Sequence, residues 1–418
     1  MSELVPLRRN RDFVLLQAGQ ALSTLGNSAS QLAYPLLTLA LTGSAGRAGV
    51  VGFASLLPYA VFALFAGVVA DRSNRKAVMV SMDLVRALAM GSIVLALAVG
   101  HLSFAQIVIA AFVEGTAFVF FNIAEVGALR SLVPARQMAD AAAAEQSRYA
   151  VVTIAGPPLG GALFQVGRSL PFLADGLSYA ASIATLLWMK TPFQETRERD
   201  TTPLRAQIRE GIAFLWGHAY LRTTALIFAG DNFVFSGVFL AVVVISKRHG
   251  LSGGMIGALT AVFGGFALLG SLISPRVSKL LTIRQIMLVS QWANAALLFC
   301  LLDQSPYVLF ACILPFALAG PVVTAVVIGY RTAVTPDHLI GRVSSVARNI
   351  ALLAQPVGPL TAGLLLGSFS ERATLLVFGA VGTALAVVST VSPSMRQSPS
   401  LAELDELPRP EPSGIVEA

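Results

Sequence analysis

The sequence predicts an all-α polytopic membrane protein of twelve transmembrane helices, and three observations predict it. Of its 418 residues, 55% are hydrophobic and only 12% charged, with a mean hydropathy of +0.74. A single soluble core stops growing well before this length, so a soluble fold has no use for so much apolar surface. Apolar stretches of about 18 residues or more recur along the whole chain, long enough for a helix to cross the hydrocarbon. Lys and Arg, finally, gather in alternate loops, as the positive-inside rule asks of a spanning chain.

The spans fall at 13–41, 47–70, 77–99, 103–127, 143–166, 170–190, 221–246, 254–275, 284–302, 306–330, 344–367 and 373–391. Loops on one side are short and hold only Arg47, Arg168, Lys247, Arg248 and Arg372, whereas most of the 29 cations lie on the other. That bias, with an even number of spans, puts both termini in the cytoplasm of a cell at its plasma (inner) membrane. The net charge of +7 is therefore topology, and no nucleic-acid partner is expected. Arg8, Arg9 and Arg11 precede an apolar run too long for a cleaved leader, so the first span is retained.

Residues 1–12 form a cytoplasmic N-terminus, 13–190 a first six-helix bundle, 191–220 a linker, 221–391 a second bundle and 392–418 a tail. Within the linker, 195–202 is charged and reads as mobile. Pro203 then opens a helix with Leu204, Ile208, Ile212, Leu215 and Trp216 on one stripe, and Arg205, Arg209 and Glu210 opposite. Proline at the first position and a single apolar stripe predict a helix lying on the membrane surface. The tail, with Pro393, Pro399, Pro408, Pro410 and Pro412 among Glu403, Asp405, Glu406 and Glu411, cannot bury a core and reads as disordered. Cys300 and Cys312 lack metal or redox spacing and read as packing residues. His101, His218, His249 and His338 sit in loops or at helix ends, far apart, so no metal site is expected.

The loop 67–76 reads Gly-Val-Val-Ala-Asp-Arg-Ser-Asn-Arg-Lys, and its charges, Asp71, Arg72, Arg75 and Lys76, must lie outside the lipid. The two halves repeat at an interval of 202 residues: Pro134 matches Pro336, Gly156-Pro157 matches Gly358-Pro359, and Gly161 matches Gly363. Shared spacing across separate landmarks points to a parallel duplication of a six-span unit.

On the loop 67–76, the long middle loop and the run Gly156-Pro157-Pro158-Leu159-Gly160-Gly161, the chain resembles the major facilitator superfamily over residues 11 to 392. Arg11-Asp12-Phe13 with Gly19-Gln20, and Asp83-Leu84-Val85-Arg86-Ala87-Leu88, are similar to its enterobactin-exporter and macrolide-efflux branch. The resemblance implies alternating access, with Gly67, Asp71, Arg72, Arg75 and Lys76 as a conformational latch and Asp71 facing the N-terminus of span eleven. An acid at a helix N-terminus contributes about 0.3–1 kcal/mol when exposed, which biases such an equilibrium without freezing it. Gly67 would let span two approach a neighbouring helix, and Asn74, where the family has glycine, tolerates a left-handed turn. The counterpart loop, Gly270 to Arg276, has no acid, so topology alone does not explain Asp71. Gly156, Pro157, Gly160 and Gly161 resemble the antiporter signature of drug exporters, which implies export, although Val152 replaces its first glycine. Tight helix packing explains the same residues.

Glu114 and Asp231 lie near the middle of spans four and seven. An ionised carboxylate there costs several kcal/mol unless paired, hydrated or protonated. Glu114 is the first proton-coupling candidate, Asp231 the second and Asp175 a third, with Glu125 ranked below them; a bond to a cationic substrate or a neighbour is the alternative. Asp83 and Arg86, three apart on span three, neutralise each other as a structural pair. In this architecture spans one, four, seven and ten line the cavity, offering Asn27, Gln31, Tyr34, Phe118, Asn122, Asn232 and Phe235. Amides and aromatics with few charges suit an amphipathic substrate such as an antibiotic, drug or siderophore-like metabolite. The expectation is a monomeric, proton-coupled exporter that uses the proton gradient and no cofactor, with the bilayer and a small molecule as its partners. A proton symporter for import is the alternative, and an integral-membrane lipid-modifying enzyme a more distant one, for which no His, Asp or Ser cluster is visible.

Overall fold

The structure, a computed structural model, describes residues 6–193, 204–295, 303 and 305–396. The stretch 195–202, Pro203, Cys300, the end of span nine and the tail beyond 396 lie outside the described residues. The helices are α1 (Arg11–Thr42), α2 (Ala45–Arg72), α3 (Arg75–Ala98), α4 (Phe104–Leu132), α5 (Met138–Val166) and α6 (Leu170–Trp188), then the linker helix α7 (Leu204–Gly217). There follow α8 (Ala219–Arg248), α9 (Gly253–Leu280), α10 (Ile283–Asn294), α11 (Pro306–Val334), α12 (Ile340–Leu353), α13 (Val357–Ser368), α14 (Glu371–Val391) and α15 (Pro393–Arg396). Among the described residues, 10 segments are long and apolar enough to cross a membrane. The other two spans are α1, of 32 residues but more polar, and α10, which runs up to the undescribed stretch.

Helix starts follow their caps. Asn10, Ser44, Asn74, Ser103 and Ser370 each accept a hydrogen bond from a backbone N–H of the first turn, and Thr282 with Gln285 forms a capping box. Asn74 does this with φ −65°, so the left-handed turn expected there does not form. Its side-chain oxygen serves the N–H of Ala77 at 3.1 Å and starts α3 directly.

The chain divides into two compact units. The first holds residues 6–193 with 239–264 and 359–369; the second holds 204–238, 265–358 and 370–396. In the first unit α2 packs on α4, α1 on α5 and α6, and α3 on α4 and α6. The same unit contains two close crossings that the repeat relates. A Cβ added to Gly161 of α5 would lie 3.2 Å from the Cα of Gly254 at the start of α9. One added to Gly49 of α2 would lie 3.0 Å from the Cα of Gly363 in α13. Two glycines equivalent in the repeat thus both stand where backbones meet. In the second unit, α10 packs on α11 and α14, and α7 packs on α12.

Three expectations need correction. Span eleven is not one helix: α12 ends at Leu353 and α13 begins at Val357. Pro356, in the turn between them, lacks an N–H and cannot continue the i→i−4 ladder; the carbonyl of Gln355 accepts from the Gly358 N–H at 3.3 Å and from the Ser236 hydroxyl at 2.7 Å. The linker helix does not simply rest on the membrane. Leu215 is fully buried, a Cβ on Gly211 would meet the carbonyl oxygen of Arg342 at 2.9 Å, and Glu210 pairs with Arg342 of α12. Ile212 and Trp216, 42% and 45% exposed, keep an open apolar edge. The tail, expected to be disordered from 392, begins with α15, whose Met395 is buried.

Candidate functional site

The charges expected in the membrane converge inside the first unit, on α1, α3, α4 and α6. Arg86 is at the centre. Its guanidinium donates to Asp83 Oδ1 at 3.2 Å and lies 3.6 Å from Glu114 Oε1. The same group stands over the ring of Tyr179, 4.0 Å from its centroid, with Phe118 and Phe121 at 5.5 and 5.8 Å. Helical spacing brings Asp83 and Arg86 together, and Glu114 reaches them because α3 packs along α4. The expected two-residue neutralisation is therefore incomplete as a description, because one cation serves both carboxylates.

Asp175 belongs to the same network. Ser30 of α1 donates to its Oδ2 at 2.5 Å, and the Tyr179 hydroxyl donates to the same oxygen at 3.2 Å. Tyr179, which sequence reasoning missed, links Asp175 to Arg86; its signal was an aromatic residue one helical turn after an intramembrane acid. Asp83, Glu114 and Asp175 are each at most 1% exposed, and Arg86 is 2% exposed. Neither carboxylate oxygen of Glu114 has a hydrogen-bond partner among the described residues. Three buried acids thus face one buried cation. Such an excess stays buried only if protons or solvent offset it.

The remaining candidates are placed as follows. Glu125 is paired with Arg148 of α5 at 3.1 Å, a separate contact nearer the end of α4. Asp231 of α8 accepts from the amides of Gln291 and Asn294 in the second unit. Asn27, Gln31, Phe118, Asn122, Asn232 and Phe235 are all partly accessible. Asn232 bonds its own helix at Phe228, and Phe235 stacks on Phe316 at 5.2 Å. Tyr34 differs from its expectation as a cavity lining. It is 2% exposed, edge-on to Phe172 at 5.3 Å, and so is a core residue of the bundle. Gly156 and Gly160 lie against Ser28 and Ala29 of α1, and Gly257 of α9 lies against the backbone of Pro157.

The stretch 67–76, expected as a loop, is the end of α2 and the start of α3 with only Ser73 and Asn74 between them; Asp71 there has a side chain 77% exposed and stands 3.7 Å from Arg75. Arg75 donates to the carbonyls of Ala70, Gly127 and Phe193 at 3.3, 3.1 and 3.2 Å, and Lys76 to that of Met189 at 2.7 Å. The cations therefore tie the start of α3 to the last turn of α2, to α4 and to the segment that follows α6. A Cβ at Gly67 would meet nothing within 4 Å, so the close approach expected there is not made in this structure.

An all-helical chain that buries its charges between spans, built from two repeats, is a multi-pass membrane transporter of the major facilitator superfamily, and not an enzyme. Within it, the chain belongs to the family described as transmembrane secretion effector, which it matches over residues 1–414. It is 27% identical to the multidrug efflux pump Tap of Mycolicibacterium fortuitum, over 92% of this chain and 95% of that one. It is 25% identical to macrolide efflux protein A of Streptococcus pyogenes, over 92% and 96%. Among solved structures it is similar in fold to a bacterial homologue of the iron transporter ferroportin, with a TM-score of 0.70, 15% identity and coverage of 92% and 99%. A bacterial homologue of the lysosomal transporter Spinster gives 0.69, 17% identity and 95% of both chains.

Proposed function

We propose that the protein is a proton-coupled exporter of small amphipathic molecules, including antibiotics of the kind named for its relatives, working by alternating access. The observation that carries the coupling is the sharing of Arg86 between Asp83 and Glu114, with Asp175 tied in through Tyr179. Glu114 is the proton carrier. Its 3.6 Å separation from Arg86 is longer than a hydrogen bond, so it is the more loosely held of the two carboxylates. When Glu114 takes a proton, Arg86 is left to Asp83. When it gives the proton up, Arg86 must serve two anions again. Each step changes the charge inside the bundle and so biases the conformations that expose the site to one side or the other. Export is supported by the names of the relatives and by the run from Gly156 to Gly161. The cation bias of the loops supports both termini in the cytoplasm. The protein works as a monomer, with the proton gradient as its energy source.

The test is transport in inverted membrane vesicles carrying an imposed pH gradient, with a macrolide antibiotic as probe. Acid-inside vesicles should accumulate the probe, and Glu114→Gln should abolish that accumulation while binding of the probe persists. Gradient-driven accumulation that is unchanged in Glu114→Gln removes Glu114 from the mechanism. Accumulation only in right-side-out vesicles would make the protein an importer.

A further inference from the structure

The second unit holds an acid of a different kind. Gln291 Nε2 donates to Asp231 Oδ2 at 2.7 Å, and Asn294 Nδ2 donates to Oδ1 at 3.3 Å. Gln291 and Asn294 are 1% and 4% exposed, whereas Asp231 remains partly accessible. The other end of each amide, Gln291 Oε1 and Asn294 Oδ1, is buried and has no hydrogen-bond partner among the described residues. No Lys, Arg or His among the described residues is bonded to Asp231. The cluster therefore combines four oxygens and one formal negative charge with only two donor groups.

Turning either amide does not cure this, because it sets a carbonyl oxygen against the carboxylate. A proton removes the charge but supplies one donor for two carbonyl oxygens. A cation taken up by the carboxylate and the spare carbonyls removes both deficits together, since a carboxylate and amide oxygens are the ligands hard cations prefer. The trio is also not required by the fold. At the repeat interval the first half has Ala29, Ala89 and Ser92 in these three places.

We propose that Asp231, Gln291 and Asn294 form a binding site for a monovalent cation in the second half of the transporter. The cation is either Na⁺ or the protonated amine of a transported molecule; both bring a positive charge that takes oxygen ligands. The site does not depend on proton exchange at Glu114, and its test reads binding, so it stands or falls separately from the efflux experiment.

Trp292 lies between the two amides in sequence, with its indole N–H on Thr390 Oγ1 at 3.1 Å. In a full-length protein carrying Trp188→Phe and Trp216→Phe it is the sole tryptophan, since the chain has 3. Sodium chloride titrated against choline chloride, at fixed pH and ionic strength, should change its emission saturably if Na⁺ is the ligand. If the ligand is an amine, benzylammonium chloride should do so and benzyl alcohol should not. The same titrant should raise the thermal unfolding midpoint. Asp231→Asn and Gln291→Met should each raise the half-saturating concentration about tenfold or more. The proposal is overturned if neither titrant moves emission or midpoint, if the response survives in Asp231→Asn, or if emission follows pH alone. Should Asp231→Asn fail to fold, Gln291→Met decides by the same criterion.

Discussion

The first unit buries acids beside an arginine; the second holds a partly accessible one against two buried amides. A guanidinium offers five N–H donors and a planar face, so Arg86 can serve Asp83, Glu114 and the ring of Tyr179 at once. Gln291 and Asn294 donate to Asp231 but bring no charge. The halves descend from one repeat, yet at the repeat interval Arg86 corresponds to Leu288, Glu114 to Phe316 and Asp175 to Val377. Phe316 stacks on Phe235, so the second half fills with aromatic packing the place that the first gives to a carboxylate. The fold thus demands neither cluster. Each is chemistry added to a common scaffold, balanced, on the two proposals above, by protons in one half and by a cation in the other.

The sharpest way to break this comparison is to remove the arginine. Arg86→Met keeps the bulk of the side chain and leaves Asp83, Glu114 and Asp175 without a cation. Removing one partner of a buried pair costs about 3–5 kcal/mol, so the variant should lose most of its monodisperse fraction in detergent and melt well below the parent protein. Adding Asp83→Asn and Glu114→Gln to Arg86→Met should restore much of the loss. If Arg86→Met alone melts like the parent, the guanidinium is not what keeps these acids buried.

The fold was legible because a membrane span needs only length and apolarity, and those are properties of the sequence itself. Asp83 with Arg86 was legible from helical spacing. Glu114 and Asp175 could be recognised as intramembrane acids, but their arrival at the same guanidinium depends on how α4 and α6 lie along α3, which no local pattern encodes. Gln291 and Asn294 were missed although three apart in an otherwise apolar run, because neutral amides do not stand out as charges do. The break between α12 and α13 had a local signal in Pro356, which cannot donate to the helical ladder. The seat of α7 depends on α12, more than 120 residues further on, and amphipathicity predicts an apolar face without saying what covers it.

A smaller effect tests whether backbone donors can do for an acid in the first unit what the amides do for Asp231. Asp12 Oδ2 accepts from the N–H groups of Lys190 and Thr191 at 3.1 and 2.8 Å, and from the Thr191 hydroxyl at 2.6 Å. Burial raises its pKa, but the Thr191 and Lys190 hydrogen bonds and the charge of Arg11 outweigh that and leave it below its ordinary 3.8. A carboxyl whose folded pKa is depressed stabilises the fold fully above the unfolded pKa, and the contribution is lost as pH falls through the folded one. Asp12→Asn should therefore cost about 1.5–3 kcal/mol at neutral pH, the range for hydrogen bonds to a charged group. The gap to the parent should close only below pH 3.8, as followed by unfolding against pH. A gap that is constant down to the lowest pH would mean that shape, not charge, makes the Asp12 contact.

The smallest effect is expected at an ion pair of the second unit. Glu210 and Arg342 join α7 to α12 with side chains 44% and 23% exposed. Solvent and salt screen such a pair, and exposed pairs contribute about 0.2–1 kcal/mol. Glu210→Gln should therefore lower the unfolding midpoint slightly, and the difference should shrink further at high salt. The helix should stay docked, because the contact of Gly211 with the Arg342 backbone and the burial of Leu215 do not involve the charge. A loss at Glu210 as large as that at Arg86 would show that burial does not separate the two pairs. A small, salt-sensitive loss would leave the contrast intact: the Glu210–Arg342 pair then contributes little, and Asp231, bonded to no cation among the described residues, becomes the more conspicuous.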